Sequence, residues 1–577
     1  MTEPLEWVEG APRSPRFDDV YFQPGEGLDE TRAVFLQGCG LPEAWKGRSR
    51  FTVAELGFGT GLNILALVAL WGRTREPGAR LHVFSVEAYP ISREDAQRAL
   101  FVWPELAGVA ERLLAQWPLG RRGPHRIDLP FDTTFDLFIG EAAEALQGWS
   151  GNADAWFLDG FAPSRNPEMW REELLTLVAA RSAPGARLAT FTVAGAVRRG
   201  LAAQGFAVDK LPGYGRKNER LEARLPGEPP DPPAPRVAVI GAGIAGASLV
   251  RAFQALGAEP SLFAAGLGAS ANPAALVAPR LDAGGGPIAR LSAAAHARAV
   301  SLYRQTPDAV IAEGALELER QPRDRERFEK LARWDGFDPG ALRPISNEDA
   351  AAWLGEACAV PGLFERDALT VSAPLVLGAW LNGGAVGPRV DRMQRRDGAW
   401  MLFDETGSEL GRFNAVCLAA GWEIAGIAGL PLEPVRGQAS WTLDPEAGLS
   451  AGWGGYAVPL NPGVLFGATH DRGRTDSETS PEDDQRNLAG LAKARPALAA
   501  RLAGKPLESR ASIRATTPDR LPLAGSLEEG LYALGGLGGR GFSFAPLLAE
   551  HVAALVLEQP SPLPRDLAAV VDPKRLK

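Results

Sequence analysis

Two glycine-rich segments have the residue types and spacing to bind a nucleotide-like ligand. The first glycine loop is Gly57-Phe-Gly-Thr-Gly-Leu-Asn63, between the apolar run Phe51–Leu56 and the helical pattern Ile64–Trp71. The second glycine loop is Gly241-Ala-Gly-Ile-Ala-Gly246, which follows the apolar run Val237–Ile240. Glycine permits a sharp turn and a close backbone approach, and the N–H groups at a helix start favour electron-rich ligand atoms. The candidate ligand-binding glycines are Gly57, Gly59, Gly61, Gly241, Gly243 and Gly246.

Acidic residues stand beside the strand candidates around the first glycine loop. They are Glu55, before the loop, and Glu87, Glu141 and Asp159, at the ends of three later apolar runs. Ligands of open α/β sheets bind at the carboxyl ends of strands, where an acid can accept both hydroxyls of a ribose. The pattern E-x-G-x-G-x-G followed by such an acid resembles class I methyltransferases, which use S-adenosylmethionine. The expected cofactor contacts, besides the glycines, are Glu55, Asn63, Glu87 and Glu141. Asp159 is expected to hold or deprotonate an attacking amine.

The second glycine loop has the full strand, G-x-G-x-x-G, helix and strand context of a dinucleotide fingerprint. The acid expected after its second strand is absent, since Phe263-Ala-Ala265 stands there, so ribose contacts must come from elsewhere. FAD is preferred over NAD because Ala415–Gly421 and Leu534–Phe542 look like the remaining pieces of a split flavoprotein domain. A helix starting at the second of these pieces would offer N–H groups to a reduced flavin. Gly421, Gly539 and Gly541 are the expected contacts there.

A proline-rich segment divides the chain. Pro226–Pro235 reads PGEPPDPPAP, with six prolines in ten residues, which favours an extended, semi-rigid spacer. We therefore expect an α/β protein with a Rossmann-like class I methyltransferase domain at 1–225 and an oxidoreductase domain at 236–577. The second domain should combine an FAD-binding Rossmann part with an α+β substrate subdomain. The FAD part is expected at about 236–300, 413–430 and 508–560, and the substrate part at about 301–412 and 431–507.

The composition of the whole chain excludes several classes of protein. With 45% hydrophobic and 23% charged residues over 577 positions, it is typical of a soluble, multidomain globular protein. The three cysteines are odd in number and far apart, which argues against a disulfide framework. None of the five histidines has metal-ligand spacing, so no metal is expected. The absence of a secretory h-region or a membrane-length apolar run indicates a cytosolic protein without a membrane partner.

Short strings along nearly the whole chain resemble one family. Among them are Asp19-Val-Tyr-Phe22, Asp154-Ala-Trp-Phe-Leu-Asp-Gly-Phe-Ala-Pro163, Gly268-Ala-Ser-Ala-Asn272, Arg514-Ala-Thr-Thr-Pro-Asp519 and Gly539-Arg-Gly541. With these strings the chain resembles the bifunctional tRNA 5-methylaminomethyl-2-thiouridine biosynthesis proteins, and its second half is also similar to glycine and D-amino-acid oxidases. Ala271 departs from the glycine more usual in the family, and the matching is looser between about 280 and 510.

The resemblance implies a two-step modification of a wobble uridine, with the tRNA anticodon region as substrate. FAD-dependent oxidation would remove a carboxymethyl group from an amine, and the methyltransferase half would then methylate that amine. Ser270 is an expected FAD contact. Arg514 and Arg540 are candidates to bind the substrate carboxylate, although each could equally be a structural salt-bridge residue.

A local basic patch would have to hold the RNA, because the formal net charge of −9 gives no general attraction to nucleic acid. The candidate RNA-binding residues are Arg198, Arg199, Arg216 and Lys217. Two alternatives stay open: a fused methyltransferase and flavin amine oxidase for a small metabolite, and a non-catalytic RNA-binding scaffold. The sequence leaves the oligomeric state open, and a monomer is plausible.

Overall fold

The computed structural model describes residues 3–23, 25–118, 120–215, 219–384, 386–443 and 448–576. The chain forms two compact units. The first comprises Met1–Pro233 with Gln559–Arg565, and the second comprises Ala234–Glu558 with Asp566–Lys577. A division at the linker alone would leave Gln559–Arg565 in the second unit, whereas the structure places this segment in the first. Its contacts explain this: Arg126 Nη2 donates to the Pro560 carbonyl at 3.2 Å, and Ser561 N donates to Ser150 Oγ at 3.0 Å.

An eight-stranded sheet forms the centre of the first unit. In spatial order its strands are Ala207–Pro212, Glu219–Arg224, Ser182–Thr190, Ala153–Leu158, Arg50–Leu56, Arg80–Glu87, Thr133–Ile139 and Gly123–Leu129. The five strands in the middle are mutually parallel, while the strands at both edges pair antiparallel. The strand order reverses beside Arg50–Leu56, where ligands of open α/β sheets bind.

Helices cover both faces of this sheet and bury its apolar residues. They are Gly27–Glu30, Leu62–Thr74, Arg93–Leu100, Ala107–Leu114, Ala142–Gly148, Glu172–Ala180 and Gly195–Ala203. Leu62–Thr74 starts directly after Gly61, and most of its residues are buried. A helix that is apolar on nearly all sides is stable only inside a core, so this helix holds the first glycine loop rigidly. A small sheet of Glu6–Val8, Ala11–Ser14 and Asp19–Val20 precedes these elements.

The second unit contains a six-stranded sheet and a larger ten-stranded sheet. The six-stranded order is Val386–Gly387, Ser261–Phe263, Val237–Ile240, Ala415–Leu418, Leu531–Gly535 and Leu523–Glu528. All neighbours are parallel except the last pair, as in a dinucleotide-binding sheet. The helices of this unit are Ile244–Ala255, Pro287–Arg304, Arg323–Arg333, Asn347–Leu354, Ala373–Leu381, Ile424–Ala428, Pro481–Ala494, Pro496–Leu502 and Gly541–Val556. A further helix, Arg565–Val571, starts at the boundary between the units.

The ten-stranded sheet contains strands from both segments that were expected to form the substrate subdomain. Its main path is Ala274–Val277, Gly362–Ser372, Val310–Leu318, Ser450–Gly452, Tyr456–Leu460, Gly463–Gly467, Glu433–Thr442 and Asp471–Arg472. Leu342–Ile345 pairs with Gly362–Ser372, and Glu508–Thr516 pairs with Glu433–Thr442. The strands Ala274–Val277 and Glu508–Thr516 were expected in the FAD part, and the structure places them in this sheet because their backbones pair with its strands.

The second unit contains one more small sheet. Arg392–Arg396, Ala399–Phe403 and Glu409–Phe413 form a separate three-stranded sheet. Cys39 and Cys417 are buried and Cys358 is half-buried, and all three are free thiols. Within the described residues, no helix has the length and apolar character needed to cross a membrane.

Candidate functional site

The first glycine loop has a backbone that only glycine adopts easily. Gly57 and Gly61 have φ of +95° and +84°, and Gly59 has φ of +52°. A Cβ atom on Gly57 would lie 2.2 Å from the carbonyl oxygen of Asp159, and one on Gly59 would lie 2.9 Å from the Tyr21 ring. The loop therefore combines left-handed backbone with close contacts on both sides, as a close ligand approach requires.

Asn63 connects two of the predicted acids at the first loop. Its Nδ2 donates to Asp159 Oδ2 at 2.7 Å and to Glu55 Oε1 at 3.0 Å. Its Oδ1 accepts a hydrogen bond of 2.7 Å from Thr31 Oγ1. The amide is thus held from three directions, which fixes the position of Asp159 at the carboxyl end of its strand. Thr31 was not predicted, since no local pattern connects it to the loop.

Glu55 lies behind this network and does not line an open site. It is 0% exposed, and its second oxygen, Oε2, accepts a hydrogen bond of 2.7 Å from Ser85 Oγ. Burial raises the pKa of Glu55 to about 8, and the nearby charge of Asp159 adds to the increase. Because Glu55 is fully buried, it has no surface from which to contact a cofactor, so the expected direct contact is revised and the side chain positions Asn63 instead.

Glu87 and Glu141 stand at the same edge of the sheet in different surroundings. Glu87 ends its strand, and its carboxylate accepts hydrogen bonds from Gly59 N at 2.9 Å and Tyr89 N at 2.8 Å. Burial raises its pKa. Each oxygen retains a second lone pair, so the side chain can still accept ribose hydroxyls. Glu141 is exposed and precedes the helix Ala142–Gly148 without capping it.

The second glycine loop is packed even more tightly. Gly241 has φ of +114°, and a Cβ atom there would lie 2.4 Å from the Ala419 carbonyl oxygen. A Cβ atom on Gly246 would lie 1.7 Å from the carbonyl oxygen of Gly241, so helix and strand touch through backbone. Ser270 Oγ accepts a hydrogen bond of 2.9 Å from Ile244 N and lies 3.1 Å from the Cβ position of Gly243. Ser270 thus anchors the helix start beside the loop.

A cavity of about 1480 Å³ opens from this loop. Of the predicted FAD contacts, Gly241, Gly243, Ser270, Gly421, Gly539 and Gly541 line it, whereas Gly246 does not and packs against the Gly241 carbonyl oxygen instead. Ala264 and Ala265 also line the cavity, at the position where an acid usually binds the ribose. Another acid, Glu423, lies in the cavity wall and forms an ion pair of 3.5 Å with Arg389. Glu423 follows the strand Ala415–Leu418. The sequence pattern predicts a glycine contact, Gly421, in this segment and does not predict Glu423.

The structure brings Arg514 and Arg540 into the wall of the same cavity. Arg514 Nη2 donates to the Thr469 carbonyl at 2.7 Å, and burial lowers the pKa of its guanidinium. Tyr456 and two carboxylates, Glu317 and Glu365, line this part of the cavity as well. Sequence reasoning missed these three because they come from the loosely matching middle of the chain.

The predicted RNA-binding residues are only partly described. Arg198 and Arg199 are exposed on the helix Gly195–Ala203, whereas Arg216 and Lys217 lie outside the described residues. Across the described ranges, no group of three or more His, Cys, Asp or Glu side chains is arranged to hold a metal ion.

The fold and the two loops define a methyltransferase joined to an FAD-dependent oxidoreductase. Residues 104–226 match the S-adenosyl-L-methionine-dependent methyltransferase family model, and residues 236–555 match the FAD dependent oxidoreductase model. The residues present fit both cofactors: glycines stand wherever a Cβ atom would obstruct the loops, and the cavity continues from the second loop. The two-domain α/β prediction and both cofactor assignments are confirmed.

Full-length relatives identify the family. The chain is 55% identical to the tRNA 5-methylaminomethyl-2-thiouridine biosynthesis bifunctional protein MnmC of Caulobacter sp. (strain K31), over 99% of this chain and 97% of the relative. It is 43% identical to the protein of that name from Maricaulis maris (strain MCS10), over 95% and 92%. The chain therefore belongs to the MnmC family, which confirms the resemblance found in its short strings. Iminodiacetate oxidase from Chelativorans sp. BNC1 shares the fold of the second half, with 22% identity, a TM-score of 0.50, and coverage of 57% of this chain and 97% of that one.

Proposed function

We propose that this protein performs two consecutive steps in the modification of a tRNA wobble uridine. The second unit removes the carboxymethyl group of 5-carboxymethylaminomethyl-(2-thio)uridine by FAD-dependent oxidation, leaving 5-aminomethyl-(2-thio)uridine and glyoxylate. The first unit then methylates the primary amine to 5-methylaminomethyl-(2-thio)uridine. One unit thus produces the nucleophile that the other consumes.

The observation that supports this proposal best is the extent of the family match. Identity of 55% spans 99% of the chain and therefore includes both catalytic halves and their order. A single-function relative would match one half alone. Both glycine loops also keep the tight geometry of ligand sites, which disfavours a non-catalytic scaffold.

In the second unit, a substrate carboxylate is a suitable partner for Arg514 and Arg540, because guanidinium groups bind carboxylates in a bidentate manner. The second glycine loop, with Gly241 and Gly243, would hold FAD, which would supply an acceptor for the hydride from the carbon next to the substrate nitrogen. Water then hydrolyses the carbon–nitrogen double bond, and the primary amine remains on the uridine.

In the first unit, Asp159 holds the amine and accepts its proton, while Asn63 fixes the carboxylate through the hydrogen bond of 2.7 Å. S-adenosylmethionine, when bound, supplies an electrophilic methyl group, so the reaction depends mainly on alignment of the amine. The exposed residues Arg198 and Arg199, with Arg216 and Lys217, are proposed to contact RNA phosphates. We therefore also propose a cytoplasmic location, where a tRNA substrate is available.

Nucleoside analysis of tRNA containing the carboxymethylaminomethyl group tests both steps. Flavin-loaded protein without S-adenosylmethionine should give the aminomethyl nucleoside, and addition of S-adenosylmethionine should give the methylaminomethyl nucleoside. Asp159→Asn should stop at the aminomethyl product, with methyl transfer reduced about 10²- to 10⁴-fold. The exposed Asp209→Asn, in the same unit, is the matched control. If flavin-loaded protein oxidises free amines but leaves tRNA unchanged, the small-metabolite alternative is correct.

A further inference from the structure

Two carboxylates share one wall of the FAD-side cavity. Glu365 pairs with Ala315 across the antiparallel strands Gly362–Ser372 and Val310–Leu318. Glu317 lies two residues beyond Ala315, and side chains two apart on a strand share a face. Both carboxylates line the cavity, at the part that also contains Arg540. We call Glu317 and Glu365 the acid pair.

Glu365 is built into this wall without a partner for one of its oxygens. The residue is only 4% exposed, and among the described residues its Oε2 has no hydrogen-bond partner. Burial, together with the charge of Glu317, raises the pKa of Glu365 to about 8, and Arg540 counteracts the increase. A buried carboxyl oxygen without a donor is costly, which indicates that a ligand group supplies the missing hydrogen bond.

Glu317 is kept in place by the shape of the neighbouring strand. A Cβ atom on Gly452 would lie 2.5 Å from Glu317 Oε2, so any larger residue at 452 would displace the carboxylate. Arg320 Nε approaches Glu317 Oε1 at 4.0 Å, and burial raises the pKa of Glu317. Among the described residues, Arg320, at 4.0 Å from Glu317, is the one cation within ion-pair distance of the acid pair, so no short ion pair neutralises it.

A cation stands beside these anions. Arg540 interacts electrostatically with both Glu317 and Glu365, yet its guanidinium has no ion pair within 4.0 Å in the described part of the chain. Opposite charges that are close but not paired suit a zwitterion whose ammonium and carboxylate are separated by one carbon. The carboxymethylamine group proposed above as the substrate has this structure.

We propose that Glu365, with Glu317 beside it, binds the protonated secondary amine of the substrate and takes its proton, while Arg540 binds the neighbouring carboxylate. This inference rests on the proposed oxidation in the second unit. The N–H bond of the ammonium breaks, its proton goes to Glu365 Oε2, and the electron pair stays on nitrogen. That electron pair then assists departure of hydride from the adjacent carbon to FAD, the oxidant of the proposed reaction.

Two small probes separate recognition of the ammonium from recognition of carboxylates. Iminodiacetate contains a secondary ammonium between two carboxylates, and oxydiacetate has an ether oxygen in its place. Each is titrated into flavin-loaded full-length protein at pH 8 to 8.5, and the initial flavin difference spectrum reports binding. Wild-type protein should prefer iminodiacetate, and Glu365→Gln should lose about 10- to 100-fold of that preference. Arg540→Met should weaken binding of both probes.

Matched variants keep the result interpretable. Glu313 is an exposed acid on the strand Val310–Leu318, which also contains Glu317, and it forms an ion pair of 3.1 Å with Arg304. The variant Glu313→Gln should therefore retain the wild-type preference for iminodiacetate. Glu317→Gln should reduce the preference less than Glu365→Gln. The charged groups that face Glu365 are Glu317 and Arg540. In wild-type protein the preference should fall as the pH decreases below about 8, whereas in Glu365→Gln the fall should be smaller, because only Glu317 still titrates there.

Equal affinity of wild-type protein for the two probes, or an unchanged preference in flavin-loaded Glu365→Gln, would overturn this inference. The proposed function stands in either case if wild-type protein still removes the carboxymethyl group from tRNA. If wild-type protein neither oxidises the tRNA nor prefers the amine probe, both the proposed oxidation and the inference fail.

Discussion

The side-chain amide of Asn63 donates a hydrogen bond of 2.7 Å to Oδ2 of Asp159. Since Asn63 stands at the start of a buried helix and Asp159 follows a strand, this bond connects the glycine loop to the carboxylate that is proposed to accept the amine's proton. The same Nδ2 also donates to Glu55 at 3.0 Å. The side-chain amide of Asn63 therefore connects the position of the Asp159 carboxylate to the conformation of the first glycine loop.

Asn63→Ala should lower kcat of methyl transfer about 10- to 100-fold, because Asp159 loses the donor that positions it. KM for aminomethyl-uridine tRNA should change less, since the binding surface remains. Thr31→Val, which removes only the hydrogen bond to Asn63 Oδ1, should give a smaller effect in the same direction. Oxidation by the second unit is the internal control. A change in KM alone would contradict the positioning role.

Gly246→Ala should weaken FAD binding about tenfold or more, because the added Cβ atom would lie 1.7 Å from the Gly241 carbonyl oxygen. The helix start would have to move away from the strand. Flavin absorbance per protein, measured during titration with FAD, gives the affinity. Gly426→Ala, at an exposed helical glycine with open space around its Cβ position, is the control. Methyl transfer by the first unit should be unaffected in both variants.

Local sequence was sufficient to predict the glycine loops and their flanking elements. Val237–Ile240 is a strand with the predicted bounds, because an apolar run followed by glycine at φ of +114° leaves the backbone few alternatives. The helix after the first loop is longer than predicted, Leu62–Thr74, since it continues through half-buried Gly72 and exposed Arg73 and Thr74, which carry no apolar pattern.

Features that depend on distant pairing could not be predicted. The acid pair arises from the register of Val310–Leu318 on Gly362–Ser372, and a shift of one residue would turn one carboxylate to the opposite face. The assignment of Gln559–Arg565 to the first unit depends on hydrogen bonds to residues more than four hundred positions earlier, such as the one from Arg126. No composition signal marks such contacts.

Glu55 should make the stability of the first unit dependent on pH. Its pKa rises from the ordinary 4.5 to about 8 on folding, so the folded state retains a proton that the unfolded state releases. The contribution of Glu55 is fully present below about pH 4.5 and is lost as the pH rises through about 8. Relative to wild type, Glu55→Gln should therefore become more stable with increasing pH over this window.

Labelling of Cys39 measures this stability in the first unit alone, because Cys39 is fully buried there while the other two cysteines belong to the second unit. Urea-dependent labelling of wild type and variant, compared at each pH, cancels the intrinsic reactivity of the thiol. The exposed Glu111→Gln should show no such trend. A constant difference between Glu55→Gln and wild type from pH 5 to pH 8.5 would exclude the raised pKa.

Arg198 and Arg199 should contribute to tRNA affinity through phosphate contacts. Both are exposed on the helix Gly195–Ala203, and each phosphate contact releases condensed cations, which makes binding salt-dependent. Reversing both charges to Glu should weaken tRNA binding roughly tenfold at moderate salt and reduce the slope of log K against log salt concentration by about 1 per lost contact.

Arg112→Glu makes the same type of charge change at an exposed site on another helix of the first unit and should have little effect. The flavin difference spectrum that iminodiacetate induces in the second unit should stay as in wild type, because this probe has no phosphate. Equal losses of affinity in Arg112→Glu and the Arg198/Arg199 variant would indicate only general charge repulsion, whereas an unchanged salt slope would remove both arginines from the RNA interface.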